Sequence, residues 1–110
     1  MSSAEPEVVI VLTTLPADAD SAALARALVQ ERLAACVNIL PEMTSVYRWE
    51  GTVEEARERQ VVIKTTARQL EQLHARVRSL HQYDVPEWLV IPVVGGSADY
   101  LAWVNESVGG

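Results

Sequence analysis

The sequence lacks several things that common protein classes require. It has a single cysteine, Cys36, so no disulfide can form within the chain and no group of thiolates can gather on one zinc or copper ion. That usage is compatible with a reducing compartment, and a cytoplasmic location is expected. Phenylalanine is absent and Lys64 is the only lysine. The aromatic strand faces and basic sheet of an RNA-recognition module are therefore missing. A copper chaperone of the paired-cysteine kind is excluded by the same cysteine count. No apolar run approaches the ~20 residues of a membrane-spanning helix. Residues 1–7 are short and acidic, without the basic and apolar regions of a signal peptide, and are expected to be a flexible segment ahead of the domain. There are only two histidines, His74 and His81, and neither stands in a recognisable nucleophile motif with a serine or cysteine. The chain is not expected to be an enzyme.

What is present suits one domain, placed at residues 8–108. The chain has 110 residues, 49% of them hydrophobic, which is enough for one core. Fifteen acidic residues against nine basic ones give a net charge of -6. That field repels nucleic acid and anionic membrane and favours cationic partners. A domain this small buries a modest share of its surface, so it gains from a subunit interface.

Read along the chain, Val8, Val9, Ile10, Val11 and Leu12 form a β-branched run of strand type, closed by Leu15-Pro16. Asp18, Asp20 and Ser21 offer N-caps for a helix over residues 21–35, with Leu24, Ala25, Leu28 and Val29 on its apolar face. Arg32 lands inside that apolar arc. It either snorkels at the rim or reaches a neighbouring chain. Residues 36–49 read as one long strand with a bulge near Pro41, followed by a tight turn at Glu50-Gly51 and a second extended run over residues 60–66. Between them, residues 54–59 are rich in Glu, Ala and Arg and locally prefer helix. So short a helix is marginal in water, and strand pairing can override it. Leu70, Leu73, Val77 and Leu80 recur at helical spacing after a cap at Thr66, and the helix must stop before Pro86. Residues 88–94 form a strand that Pro92 assigns to a sheet edge. A terminal helix capped by Ser97 places Tyr100, Trp103 and Val104 on one apolar face. The order β-α-β-β-α-β plus a helix is the α+β ferredoxin-like, split βαβ sandwich with an antiparallel sheet.

Fold order does not give function, so the candidate sites are read from their chemistry. His74 and His81 lie seven residues apart, ~10 Å along one helix axis, too far to share an ion. His74 reads as a surface or rim residue. His81 sits where the second helix must end. It either caps helix carbonyls or, with Asp84 and Glu87 nearby, ligates a borderline metal.

Five stretches carry a family resemblance: Arg32-Leu33-Ala34-Ala35-Cys36-Val37-Asn38-Ile39, Ser45-Val46-Tyr47-Arg48-Trp49-Glu50-Gly51, Ile63-Lys64-Thr65-Thr66, His81-Gln82-Tyr83-Asp84-Val85-Pro86-Glu87, and Asp99-Tyr100-Leu101-Ala102-Trp103. In this order and spacing the chain resembles the CutA divalent-cation tolerance family. The resemblance implies a homotrimer of ferredoxin-like subunits whose long hairpins pair with neighbouring sheet edges. It also implies a role in the response to divalent metal ions, chiefly copper, by binding or signalling rather than turnover. No cofactor is then required, and copper or another divalent ion is the candidate ligand. The resemblance names no downstream protein partner. Carried over by position, the family's copper ligands fall at His81 and Glu87, while its first-strand cysteine falls at Leu12, which cannot ligate. Gln82 stands where a proline usually follows that histidine. Tyr47, Trp49, Glu58, Lys64, Tyr83 and Trp103 match further recurrent positions. They either line an intersubunit ligand cleft or serve packing, with Glu58 and Lys64 pairing. The alternative reading is a trimeric regulator of a nucleotide-like or anionic metabolite, similar to nitrogen-regulatory signalling proteins and dependent on Lys64.

Overall fold

The computed structural model describes residues 7–81 and 83–109; the expected flexible segment up to residue 6, and Gln82, lie outside the described residues. Strand β1 (Val8–Pro16) leads to helix α1 (Ser21–Gln30), then β2 (Cys36–Trp49) and β3 (Thr52–Thr66). A 3-10 turn (Ala67–Gln69) precedes α2 (Leu70–Leu80), followed by β4 (Leu89–Pro92) and α3 (Ala98–Ser107). The sheet order is β2-β3-β1-β4, with every neighbouring pair antiparallel. This is the expected split βαβ arrangement, with β4 at an edge as Pro92 required.

The core lies between α1, α2 and one face of the sheet. Val11 and Leu15 of β1 and Val61 and Ile63 of β3 alternate toward Leu24, Leu28, Leu73 and Val77 of the helices. A smaller cluster ties α3 to the start of β1 through Val8, Ala35 and Val104. Asp20 caps α1 by accepting from the Ala23 N–H at 3.1 Å, and Ser97 caps α3 through Tyr100 N–H at 3.2 Å.

Several boundaries differ from expectation, each for a local reason. Strand β1 runs through Leu15 and Pro16, which pair with Arg59 and Glu58. Helix α1 stops at Gln30, five residues early, because Arg32 takes a left-handed φ of 62°. Leu33 N–H then reaches the Leu28 carbonyl and Arg32 N–H the Val29 carbonyl, a Schellman ending with arginine in the usual glycine place. Thr66 forms no side-chain cap, and the 3-10 turn comes between it and α2. Val29 and Leu80, assigned to apolar faces, sit at helix ends and are exposed. Trp103 also departs from expectation: Val104 is fully buried, whereas Trp103 is 44% exposed and packs with exposed Tyr100, ring centroids 5.5 Å apart.

Strand β3 begins at Thr52, so residues 54–59 are strand despite their helical preference. Each residue there is paired with β2. The turn between the strands has positive φ at both Glu50 (51°) and Gly51 (83°), which matches the right-handed twist of a two-residue hairpin. Beyond Glu58 no third strand pairs with the hairpin among the described residues. It projects as a two-stranded arm and stretches the molecule to 48 × 27 × 23 Å. The radius of gyration is accordingly 15.0 Å, against ~13 Å for a compact chain of this length.

Candidate functional site

A cleft of about 730 Å³ opens between the base of this arm and the loop after α2. The β-bulge creates its floor. Before the bulge Cys36 pairs with Lys64 and Ile39 with Val61; after it Glu42 pairs with Arg59 and Met43 with Glu58, so β2 has gained one residue. Side chains alternate along a strand, and one extra residue inverts the alternation. Met43, Ser45, Tyr47 and Trp49 thereby join Glu58 and Gln60 on the sheet face away from α1 and α2. Thr14, paired with Gln60, lies on the same face. Tyr83, Asp84, Val85, Pro86 and Glu87 close the other side.

Polar contacts tie the loop to the sheet. Tyr83 donates its hydroxyl to Glu58 Oε2 at 2.7 Å. Gln60 donates from Nε2 both to the Thr13 carbonyl at 2.7 Å and to Glu87 Oε2 at 2.9 Å. His81, the C-cap of α2, does not bond helix carbonyls with its ring. Its Nε2 lies 2.6 Å from the Thr14 carbonyl and its Nδ1 accepts the Tyr83 N–H at 3.1 Å. A carbonyl only accepts and an amide N–H only donates, so the ring is the neutral Nε2–H tautomer. The location has a physical cause: β4 pairs with β1 only over residues 9–12, and beyond that point His81 supplies the missing donor to the edge.

Burial, first, and then the hydrogen bond and charge of Glu58 push the Tyr83 phenol well above its ordinary range, with Tyr47 and Asp18 adding to the shift. A raised folded value means stability that is complete below the ordinary phenol pKa of ~10 and is lost as pH rises beyond it. Thermal melts above about pH 10 should show the parent losing midpoint progressively. Tyr83→Phe should lack that component of the loss; an identical alkaline profile would contradict the shift.

Of the residues expected in a ligand cleft, Tyr47, Trp49, Glu58 and Tyr83 converge, and Glu87 joins them. Lys64 does not. It sits on the same sheet face but six residues along β3 from Glu58, ~20 Å away at about 3.3 Å per residue. The Glu58–Lys64 pair of the packing alternative is not among the ion pairs of the described residues, which are Arg57–Glu42 and Arg76–Glu31. Trp103 is on α3, outside the cleft. His74, expected at the surface or rim, is half-buried and stacked on Trp88, centroids 4.3 Å apart. Sequence reasoning missed Gln60, Thr14 and Met43. The signal was available for Gln60, two residues from Glu58 and so on its face, once strand rather than helix is assigned to residues 54–59.

The same fold is found in known proteins. The family model described as CutA1 divalent ion tolerance protein matches residues 9–107. The chain belongs to that family. A divalent-cation tolerance protein CutA of Thermus thermophilus is 46% identical over 100 residues, covering 91% of this chain and 97% of the relative. The solved structure of a divalent cation tolerance protein from Thermus thermophilus superposes with a TM-score of 0.89 at 45% identity, over 93% of this chain and 99% of that one. CutA1 from Oryza sativa gives 0.90 at 39% identity, over 97% and 98%. The family is named for tolerance of an ion and not for a reaction.

Whether the chain's own residues fit a resident ion can be tested on its donors. Among the described residues no three His, Cys, Asp or Glu side chains gather in metal-holding geometry. Both His81 nitrogens are engaged by backbone, and Leu12 lies in an apolar row between Val62 and Leu89. One chain's described residues therefore supply no closed ligand set. No helix is long and apolar enough to cross a membrane among the described residues.

Proposed function

We propose that this protein acts in the cytoplasmic response to divalent cations, chiefly copper, as a homotrimer that binds and signals without turning over a substrate. One observation carries the choice of ligand charge. Among the described residues every charged side chain lining the cleft, Glu58, Asp84 and Glu87, is acidic. The alternative reading, an anionic or nucleotide-like ligand, needs Lys64 to be supplied to the cleft by another copy, since it lies outside this chain's own cleft. With a net charge of -6, both the local and the long-range fields attract cations.

Trimerisation is supported by the arm. An isolated two-stranded hairpin is marginal in water, and Val46 and Val53 on it are 62% and 61% exposed. Pairing with other copies would cover the arm and bring further donors toward an incomplete ligand set. Copper affinity should be modest, because a cation reaches the His81 Nδ1 lone pair only by displacing the Tyr83 N–H. Without Cys at position 12, the set favours Cu(II) over Cu(I).

Calorimetric titration of the full chain with Cu(II), Zn(II) and ATP, alongside light scattering, tests this reading. Cu(II) should bind, and His81→Ala should weaken it by roughly tenfold, with Glu87→Gln a smaller loss. ATP should give no binding, and the mass should be three times the chain's 12.1 kDa. ATP binding without metal binding, or a stable folded monomer, would overturn it.

A further inference from the structure

The cleft is larger and more apolar than an ion requires. A water molecule claims ~30 Å³ of liquid, and small-molecule sites span about 300–1,000 Å³, the range in which this cleft of about 730 Å³ falls. Tyr47 and Trp49 on the arm and Val85 and Pro86 on the loop give it apolar walls that a hydrated metal ion would not use. Glu58 is only 8% exposed, yet it has no cationic partner in the ion pairs of the described residues. Its Oε2 is held by the Tyr83 hydroxyl, which leaves further acceptor capacity on the carboxylate. Glu58 lines the cleft, so a cation entering the cleft meets this carboxylate.

We propose that the cleft binds a protonated amine carried on an apolar body, the ammonium against Glu58 and the body along Tyr47 and Trp49. The chemistry is matched at both ends. An ammonium donates hydrogen bonds to the Glu58 carboxylate and is attracted to the faces of nearby aromatic rings. The body displaces water from the apolar walls, and anions are rejected by Glu58, Asp84 and Glu87. The proposal rests on the reading of this cleft as a cation site and adds an organic cation to the metal ion as its occupant.

A charge series on one skeleton tests it: phenethylamine, phenethyl alcohol and hydrocinnamate, titrated by calorimetry into the full-length protein. The amine should bind, the alcohol at least about tenfold more weakly, and the acid not at all. Glu58→Gln keeps an acceptor for the Tyr83 hydroxyl and should erase most of the amine's advantage over the alcohol. Trp49→Ala should weaken amine and alcohol alike. Equal binding of all three compounds, or binding of none, would overturn the proposal. If Cu(II) binds and the amine does not, the proposal fails and the metal reading stands. If the amine binds in the stated order and neither Cu(II) nor Zn(II) does, the metal reading fails and this one stands. No amine binding together with loss of the oligomer in Glu58→Gln would also overturn it, showing that a basic side chain of a second copy fills the cleft.

Discussion

Leu28→Ala is expected to destabilise the chain by about 2–5 kcal/mol, with the loss toward the upper end. Leu28 has no exposed surface and lies in the cluster formed by Val11, Leu15, Ile63, Leu73 and Val77. Those neighbours belong to two strands and a second helix, so the site cannot collapse without moving elements that are each held elsewhere. At roughly 4–8 °C per kcal/mol for a domain near this size, the melting midpoint should fall by tens of degrees or the chain should fail to fold. Trp103→Ala is the informative control. It removes a larger side chain, but one that is 44% exposed and outside both buried clusters. The midpoint should fall less for Trp103→Ala than for Leu28→Ala, and the reverse order would mean that the exposed α3 face is covered in the assembly. Urea unfolding at several protein concentrations separates these outcomes, since a contribution from assembly depends on concentration.

Arg32→Ala is expected to cost about 1–3 kcal/mol, an unusual effect for an exposed arginine. The side chain joins the end of α1 to the end of α3: Nη2 donates to the Glu106 carbonyl at 2.8 Å and Nε to the Gly109 carbonyl. The Arg32 carbonyl in turn accepts from Gly109 N–H at 2.9 Å. Alanine loses both guanidinium bonds and keeps the left-handed backbone at φ 62°. Glycine loses the same bonds but takes that backbone without strain, so Arg32→Gly should be less damaging by about 1 kcal/mol. Equal losses would show that the strain is negligible; no loss in either variant would show that the α3 end is held by Val104 and Val108 alone.

The two readings left open for Arg32 in the sequence both assumed that it sat on a helix. It is beyond the helix, and it reaches its own chain's terminus. No glycine marks the place, so helix-stop chemistry was invisible there. By contrast, the Glu50-Gly51 turn and the bulge near Pro41 were legible, because each depends on one or two residues with restricted backbone conformations. Most of the cleft was legible only in part. Family-like positions pointed to Tyr47, Trp49, Glu58, Tyr83 and Glu87, yet the same argument pointed to Lys64 and Trp103, which lie outside the cleft of a single chain. The difference is register: a position along a strand fixes a face, not a distance from a given loop. His81 illustrates the same limit. Its place at a helix end could be read from Pro86, but its partner is a strand carbonyl sixty-seven residues earlier.

The sequence by itself determined the element order, the antiparallel sandwich, the edge role of β4 and the bulge. These follow from periodicity and from proline and glycine, whose effects act within a few residues. The tertiary structure alone decided that residues 54–59 are strand, since pairing with β2 satisfies the inward-facing backbone groups along the arm and outweighs a local helical preference of a few tenths to ~0.7 kcal/mol per residue. It also decided which side chains share the cleft. The extra residue in β2 turns Tyr47 and Trp49 toward Glu58, while Lys64, on the same strand face, is left far up the sheet. Contacts between residues distant in the chain depend on register and loop closure, and no local pattern encodes either quantity.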